Sequence, residues 1–293
     1  MQQLTQNVRL FGNGYFNYYL AGDEEAALIE CGTSAGAHIF AGQWEAFKDK
    51  PDVKYIVILH SHFDHVCGLP ILKKLFPSAL VVASSGARKI LSKEKAMASA
   101  FNSDHAVSES YLKAGFIDRL PEIPESGPIA VDVVVGEGDR LLLGDNLKLD
   151  ILDAPGHSAC SVAVFLESDG VLLASDAAGY QSAPGEISPV FFQNYDFYMA
   201  TLKRFQNLPL KVLGMAHGDI IQGEAVSQYL RQTTKAAEEA FAWIKEDLHA
   251  GVDEEQISQK VFKRYFKGGL SYYPADIMYS TMKLLVTNVK AKL

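Results

Sequence analysis

Up to about residue 224 the apolar residues fall in short blocks broken by glycine, aspartate and proline; beyond it they fall at helical spacing. "YFNYYLAG" and "EAALIECG" read as β-strands separated by the turn-like Gly22-Asp23. Ala35 to Phe47 can form a helix, and "VKYIVIL" is a short, nearly continuous apolar run, as a strand covered on both faces should be. A short helix ending near Pro77 follows, then the strand "ALVVAS". Ser84 or Ser85 can cap a helix running towards Phe101. From Asn102 to Pro128 the pattern is less regular, with a helix near Glu109–Ala114. Strands return in "IAVDVVV", "DRLLLG" and "NLKLDILDAP". "SVAVFLESDGVLLASDA" reads as a hairpin turning at Ser168-Asp169-Gly170, and Asp196 to Gln206 as a helix leading to the strand "KVLGM". Gly136-Glu137-Gly138 lacks the third glycine and following helix of a phosphate loop, and reads as a hairpin turn.

After Glu224 no strand is evident. Val226, Leu230, Thr233, Ala237, Phe241, Ile244 and Leu248 share one helical face. Gly251 can end that helix, Asp253 and Gln256 have the spacing of an N-cap and its partner, Gly268-Gly269 stop the next helix, and Pro274 stands where a third begins. The expected division is an α/β body over residues 1–224 and a helical appendage over residues 225–293.

Composition narrows the class. Of 293 residues 48% are hydrophobic, which suits a globular chain, and the net charge of −8 argues against nucleic acid as partner. Cys31, Cys67 and Cys160 are too few and too scattered for a disulfide framework. With no apolar signal core at "MQQLTQNVRLFGNG" and no run of membrane-spanning length, a cytoplasmic protein without membrane association is expected.

The chemistry lies in "ILHSHFDHVCG", which puts His60, His62, Asp64 and His65 directly after a buried strand. Imidazole and carboxylate are ligands of first-row metals. Positions two apart in extended chain point the same way, so His60 and His62 can share one ion, while Asp64 and His65, where the chain turns, can aim at a second. His157 in "APGHSAC", Asp176 in "ASDAAG" and His217 in "MAHGD" each follow an apolar strand and can complete the shells. His38, His105 and His249 have no such context and read as structural.

"HSHFDH", "PGHS", "SDA" and "HGD", in that order, resemble the metallo-β-lactamase fold superfamily over roughly residues 8–224. The resemblance implies a four-layer αββα sandwich with two divalent metal ions at one edge of the paired sheets, zinc first, iron or manganese as alternatives. It implies His60, His62 and His157 on one metal, Asp64, His65 and His217 on the other, and Asp176 bridging. Glu30 stands where many relatives carry an aspartate that supports the metal loop from behind. Such a metal pair lowers the pKa of bound water to ~7, so hydrolysis by hydroxide is expected, with Asp64 orienting the nucleophile or moving a proton to the leaving group.

Within that superfamily, His62 stands where flavodiiron reductases carry an acid, and Asp176 is not the cysteine of the zinc β-lactamases. The tail after Glu224 resembles that of glyoxalase II-like proteins and of the quinolone-signal response protein, which implies that it covers the active site. The expected reaction is hydrolysis of a small-molecule thioester or related carboxylic ester. A phosphodiesterase with the same metals and a regulatory metal-binding protein with little turnover are the alternatives. Phe191, Phe192, Tyr195, Tyr272 and Tyr273 can wall the pocket or pack in the core. Lys260, Lys263, Arg264 and Lys267 can be a solvated helix face or hold a substrate's anionic handle. Cys67 and Cys160 read first as small buried hydrophobes, with a ligand or redox role open. Apolar surface on the tail would serve a homodimer as well as a lid.

Overall fold

The computed structural model describes residues 1–123, 126–144, 146–183 and 186–293. The first sheet takes β1 (Gln2–Gln3), β2 (Val8–Gly12), β3 (Asn17–Gly22), β4 (Glu25–Ile29), β5 (Asp52–Val57), β6 (Leu80–Ser84) and β7 (Val133–Val135), side by side in chain order. Pairing is antiparallel from β1 to β4 and parallel from β4 to β7. β8 (Arg140–Leu143), β9 (Leu147–Asp153), β10 (Val162–Leu166) and β11 (Val171–Leu173) open the second sheet as an antiparallel series. A separate hairpin of β12 (Tyr180–Ala183) and β13 (Glu186–Ser188) follows. β14 (Val212–Gly214) then joins the second sheet parallel to β11, and β15 (Ile221–Gln222) closes its edge. The helices are α1 (Ser34–Ala46), α2 (Leu69–Leu75), α3 (Ser85–Leu91), α4 (Glu94–Lys113), α5 (Tyr195–Gln206), α6 (Ala225–His249), α7 (Glu254–Tyr265) and α8 (Ala275–Lys290).

Strand alternation explains the layering. Tyr19, Ala21, Ala27, Ile29 and Val57 turn inward and share a core with Ile151, Val164 and Leu173 of the second sheet. Their neighbours Tyr18, Leu20, Leu28 and Ile56 turn outward into the helical layer. There Phe40 of α1 lies 5.3 Å from Phe11 and 5.1 Å from Tyr18, ring centre to ring centre. Ala163, Phe165 and Leu172 turn outward from the second sheet and join one continuous core with α5 and the tail helices. The fold is thus an αββα sandwich with C-terminal helices. α6 buries Val226, Leu230, Thr233, Ala237 and Ile244, and the Asp253 carboxylate caps α7 by accepting from the Glu255 and Gln256 amides.

Several elements depart from the sequence reading. The helix expected from Ser84 towards Phe101 is two, α3 and α4, parted at Ser92-Lys93, and α4 runs on through the stretch expected to be irregular. Residues 124–125 of that stretch lie outside the described residues. α4 was hidden because Asp104 and Ser108 occupy its buried stripe between Phe101, Val107 and Tyr111. "IAVDVVV" pairs only over Val133–Val135. The Asp132 carboxylate takes the Val81 amide at 2.8 Å, ending the ladder with a side chain. The Gly136-Glu137-Gly138 turn is not a hairpin but the crossing from β7 in the first sheet to β8 in the second.

Asp104 ties α4 to α1. Its carboxylate accepts from the Ser34 amide at 2.8 Å and from the Ser34 hydroxyl at 2.5 Å, at the N-terminus of α1, while being fully buried. Burial pushes its pKa up to about 6, against the opposing pull of the two Ser34 hydrogen bonds. The folded state therefore holds this proton more tightly than the unfolded chain does. The stability it brings is complete below the unfolded pKa near ~4 and is lost as pH rises through about 6. Asp104→Asn keeps the shape and removes the buried charge. Between pH 4.5 and 7.5 wild-type stability is expected to fall relative to this variant by roughly 2 kcal/mol. Urea unfolding of both proteins at the two pH values checks this, and parallel behaviour would refute it.

Candidate metal centre

The seven singled-out side chains converge at one edge of the sandwich. His60 and His62 follow β5, and Asp64 and His65 lie in a single 3-10 turn, Phe63–His65. His157 follows β9, Asp176 lies in the 3-10 turn after β11, and His217 follows β14. The turn before α2 presses on the β4–α1 loop. Gly68 donates its amide to Gly32 O at 2.9 Å, and a Cβ there would come within 2.1 Å of Cys31 O. Only glycine lets the histidine loop seat this closely.

Two groups of donor atoms result. His60 Nε2 lies 3.2 Å from His62 Nδ1, which lies 3.0 Å from His157 Nε2. In the second group Asp64 Oδ2 lies 3.5 Å from His65 Nε2 and 3.6 Å from His217 Nε2. Asp176 stands between them, with Oδ2 3.5 Å from His157 Nε2 and 3.3 Å from His65 Nε2, and Oδ1 3.8 Å from His217 Nε2.

The rings are aimed from behind. His157 Nδ1 donates to Val190 O at 3.0 Å and His217 Nδ1 to Tyr15 O at 2.5 Å, so both turn Nε2 inward. His65 Nδ1 donates to Glu30 Oε2 at 3.0 Å, so the longer carboxylate takes up the supporting position. Asn17 Nδ2 donates to Met215 O and Gly218 O at 3.0 and 2.9 Å, fixing the backbone on both sides of His217. Glu30 (φ 78°) and Ser175 (φ 51°), the non-glycine residues with positive φ among those described, both stand beside this cluster. Such backbone costs on the order of 1–3 kcal/mol and gathers at functional sites.

The electrostatics call for a cation. Burial, with His65 and His62 nearby, holds the His60 pKa well below the imidazole range, and burial brings His157 down to about 3. Burial alone would raise the Asp64 and Asp176 carboxyls, but His65 and His217 outweigh it and hold both below the usual carboxylate range. Burial likewise opposes protonation of His65, yet Asp64, Glu30 and Asp176 raise its pKa. The fit to a metal is direct. Three neutral imidazole nitrogens at 3.0–3.2 Å oppose lone pairs that one proton cannot satisfy together. Nitrogens about ~2.0–2.1 Å from a tetrahedral ion would lie ~3.3 Å apart. His65 Nε2 is moreover buried without a hydrogen-bond partner.

A cavity of about 190 Å³ opens over these groups. His62, Asp64, His157, Asp176 and His217 form its polar floor; Phe63, Tyr180, Ser188, Val190 and Phe192 form the body side. Leu270, Tyr273, Ile277, Met278, Thr281, Met282 and Leu284 of the tail form the opposite wall. Among the described residues no lysine or arginine lines it. Lys260 pairs with Asp247 at 2.8 Å and Arg264 lies over the Tyr265 ring, so Lys260, Lys263 and Arg264 form a solvated face of α7, while Lys267, beyond the end of α7, pairs with Glu186 at 2.6 Å. Of the aromatic candidates, Phe192 and Tyr273 reach the cavity. Phe191 is core, Tyr195 packs 4.3 Å from Phe241, and Tyr272 sits among Tyr15, Tyr111 and Phe116. His38 and His105 pair with Asp118 and Glu109, and His249 ends α6, away from the cluster. Cys67 is buried in the core, and Cys160 Sγ faces the Ser61 and Ser158 hydroxyls without entering the ligand groups. Tyr180, Ser188 and Val190 escaped the sequence reading because an aromatic ring, a hydroxyl or a backbone carbonyl near a site carries no pattern of its own.

The fold recurs in known proteins. The metallo-beta-lactamase fold-containing protein ST1585 of Sulfurisphaera tokodaii is 25% identical over 256 residues, 86% of this chain and 88% of that one. The crystal structure of ST1585 from Sulfolobus tokodaii covers 80% of this chain and 98% of its own, with TM-score 0.55 and 22% identity. The sec-alkylsulfatase Pisa1 from Pseudomonas sp. covers 98% of this chain, tail included, but 49% of its own, with TM-score 0.65 and 15% identity. These structural likenesses are of fold alone. The sequence model of the metallo-beta-lactamase superfamily matches residues 12–217, from β3 through β14 with all seven converging side chains, and the chain belongs to that superfamily, whose members are largely metal-dependent hydrolases.

Proposed function

We propose that this protein is a dinuclear metal hydrolase acting on a thioester or related carboxylic ester with an apolar chain, zinc being the first choice of metal. One observation carries the reading: of seven converging candidate ligands, five form the floor of a cavity whose far wall is mostly hydrocarbon and, among the described residues, carries no lysine or arginine. His60, His62 and His157 would hold one ion, Asp64, His65 and His217 the other, and Asp176 would reach both. When bound, such a pair supplies a water of lowered pKa and offsets negative charge on the attacked oxygen.

The chain's own residues supply the rest. Asp64 is ionised at neutral pH and faces the cavity, where it can take the proton of the attacking water and pass it to the leaving thiolate or alkoxide. Ile277 and Met278 of α8 and, one helical turn beyond Met278, Met282 face the cavity together and take the substrate's hydrocarbon out of water. A phosphodiester would bring an anion to a wall without lysine or arginine, which disfavours that reaction. With Cys31, Cys67 and Cys160 all free and buried, we place the protein in a reducing compartment. No helix among the described residues is long and apolar enough to cross a membrane.

A series of acetyl, butyryl, hexanoyl and octanoyl thioesters tests the reading, with bis-(p-nitrophenyl) phosphate as comparator. Each buried methylene contributes ~0.8 kcal/mol, so kcat/KM is expected to rise roughly three- to fourfold per methylene until the cavity fills. Faster turnover of the phosphodiester, or thioester rates indifferent to chain length, would overturn it. Full metal occupancy with no turnover of any ester would favour a regulatory role instead.

A further inference from the structure

Between α7 and α8 the chain "GGLSYYP" crosses the site as a strap, with a 3-10 turn at Gly268–Tyr272. The sequence marks Gly268-Gly269 only as a helix stop, yet the pair does more. A Cβ on Gly268 would lie 2.0 Å from Ser182 O, and one on Gly269 would lie 2.4 Å from the Tyr180 hydroxyl. The strap therefore lies against β12, just past the Asp176 turn. Tyr272 then wedges between rings, its centre 5.0 Å from Tyr15, 5.8 Å from Tyr111 and 5.1 Å from Phe116. Tyr15 is the residue whose carbonyl aims His217. Tyr273 follows, buried, packing edge-on to Phe63 with its hydroxyl 2.8 Å from Asp64 Oδ2.

The supports of the other ligands come from the body: Val190 for His157, Tyr15 for His217, Glu30 for His65. Asp64 differs. Among the described residues its side-chain hydrogen bond comes from Tyr273, that is, from the tail, and it falls on the same oxygen that faces His65 and His217. A donated hydrogen bond at that oxygen fixes the carboxylate plane and rotamer, the task that residues behind metal ligands perform.

The geometry points to Tyr273 as a positioning residue for the Asp64–His65–His217 half of the centre, so that docking of the tail strap and metal occupancy of that half reinforce each other. This rests on the metal-centre reading above, but not on the reaction. The coupling is reciprocal by thermodynamic necessity: whatever the strap adds to metal affinity, the metal adds to strap docking. Metal loading then tightens strap docking by the same factor by which the docked strap tightens metal binding.

Tyr273→Phe keeps the ring and its packing on Phe63 and removes the hydroxyl; Tyr272→Phe, in the same strap, is the control. Zinc affinities by chelator competition are expected to show one zinc weakened ~10–100-fold in Tyr273→Phe. The other zinc, and both zincs of Tyr272→Phe, are expected to stay as in wild type. Limited proteolysis between α7 and α8 is expected to be faster in zinc-free than in zinc-loaded wild type, with that difference reduced in Tyr273→Phe. Unchanged zinc affinities in Tyr273→Phe, or a strap cleaved at the same rate with and without zinc, would overturn the inference. Neither readout involves ester turnover, so failure here and failure of the proposed reaction can be told apart.

Discussion

Asp64→Ala is expected to reduce ester turnover on the order of 10³-fold at saturating zinc, a loss in the range of a general acid–base residue. Three contributions are removed at once: an ionised acceptor at the cavity floor, the carboxylate facing His65 and His217, and the acceptor of the Tyr273 hydroxyl. Asp64→Asn separates them. Its amide oxygen still accepts from Tyr273, but it carries no charge and cannot take a proton. It is expected to retain more metal than the alanine variant while losing nearly as much turnover. Steady-state kinetics with metal content measured on the same samples checks the pair. Turnover within tenfold of wild type in the alanine variant would remove Asp64 from the mechanism.

Removing metal is expected to have the second large effect. A chelator should abolish turnover, and zinc should restore it. Ligand present at ~100 times its Kd stabilises the fold by about 2.7 kcal/mol for each site. At ~2–4 °C per kcal/mol, loading should raise Tm by roughly 5 °C or more. The pH dependence has a definite sign. His65 is held protonated in the metal-free protein by Asp64, Glu30 and Asp176, so metal binding must displace that proton and affinity must fall as pH falls. Calorimetric scans of chelated and reloaded protein at two pH values measure both quantities. A Tm indifferent to zinc would count against a metal centre at these residues.

The histidine loop was legible because its chemistry is local: four candidate ligands in six residues have no other economical explanation. His157, Asp176 and His217 were legible through context, each following an apolar strand at what proved to be one sheet edge. What was illegible has physical causes. α4 hid behind Asp104 and Ser108, buried polar residues that break the apolar stripe yet both hydrogen-bond to Ser34. β2 was missed because Val8–Gly12 is short and carries Arg9 and Leu10 half-buried, so no alternation shows. The carbonyls of Val190 and Tyr15 that aim two of the rings belong to the backbone, which has no letter in the sequence. Tyr273 was one aromatic among many until the strap brought its hydroxyl to Asp64.

X-ray diffraction at the zinc absorption edge, from crystals of zinc-loaded protein, tests the central claim most directly. The account predicts two anomalous peaks per chain, one among His60, His62 and His157, the other among Asp64, His65 and His217, with Asp176 reaching both. A map without a peak at either position would contradict it.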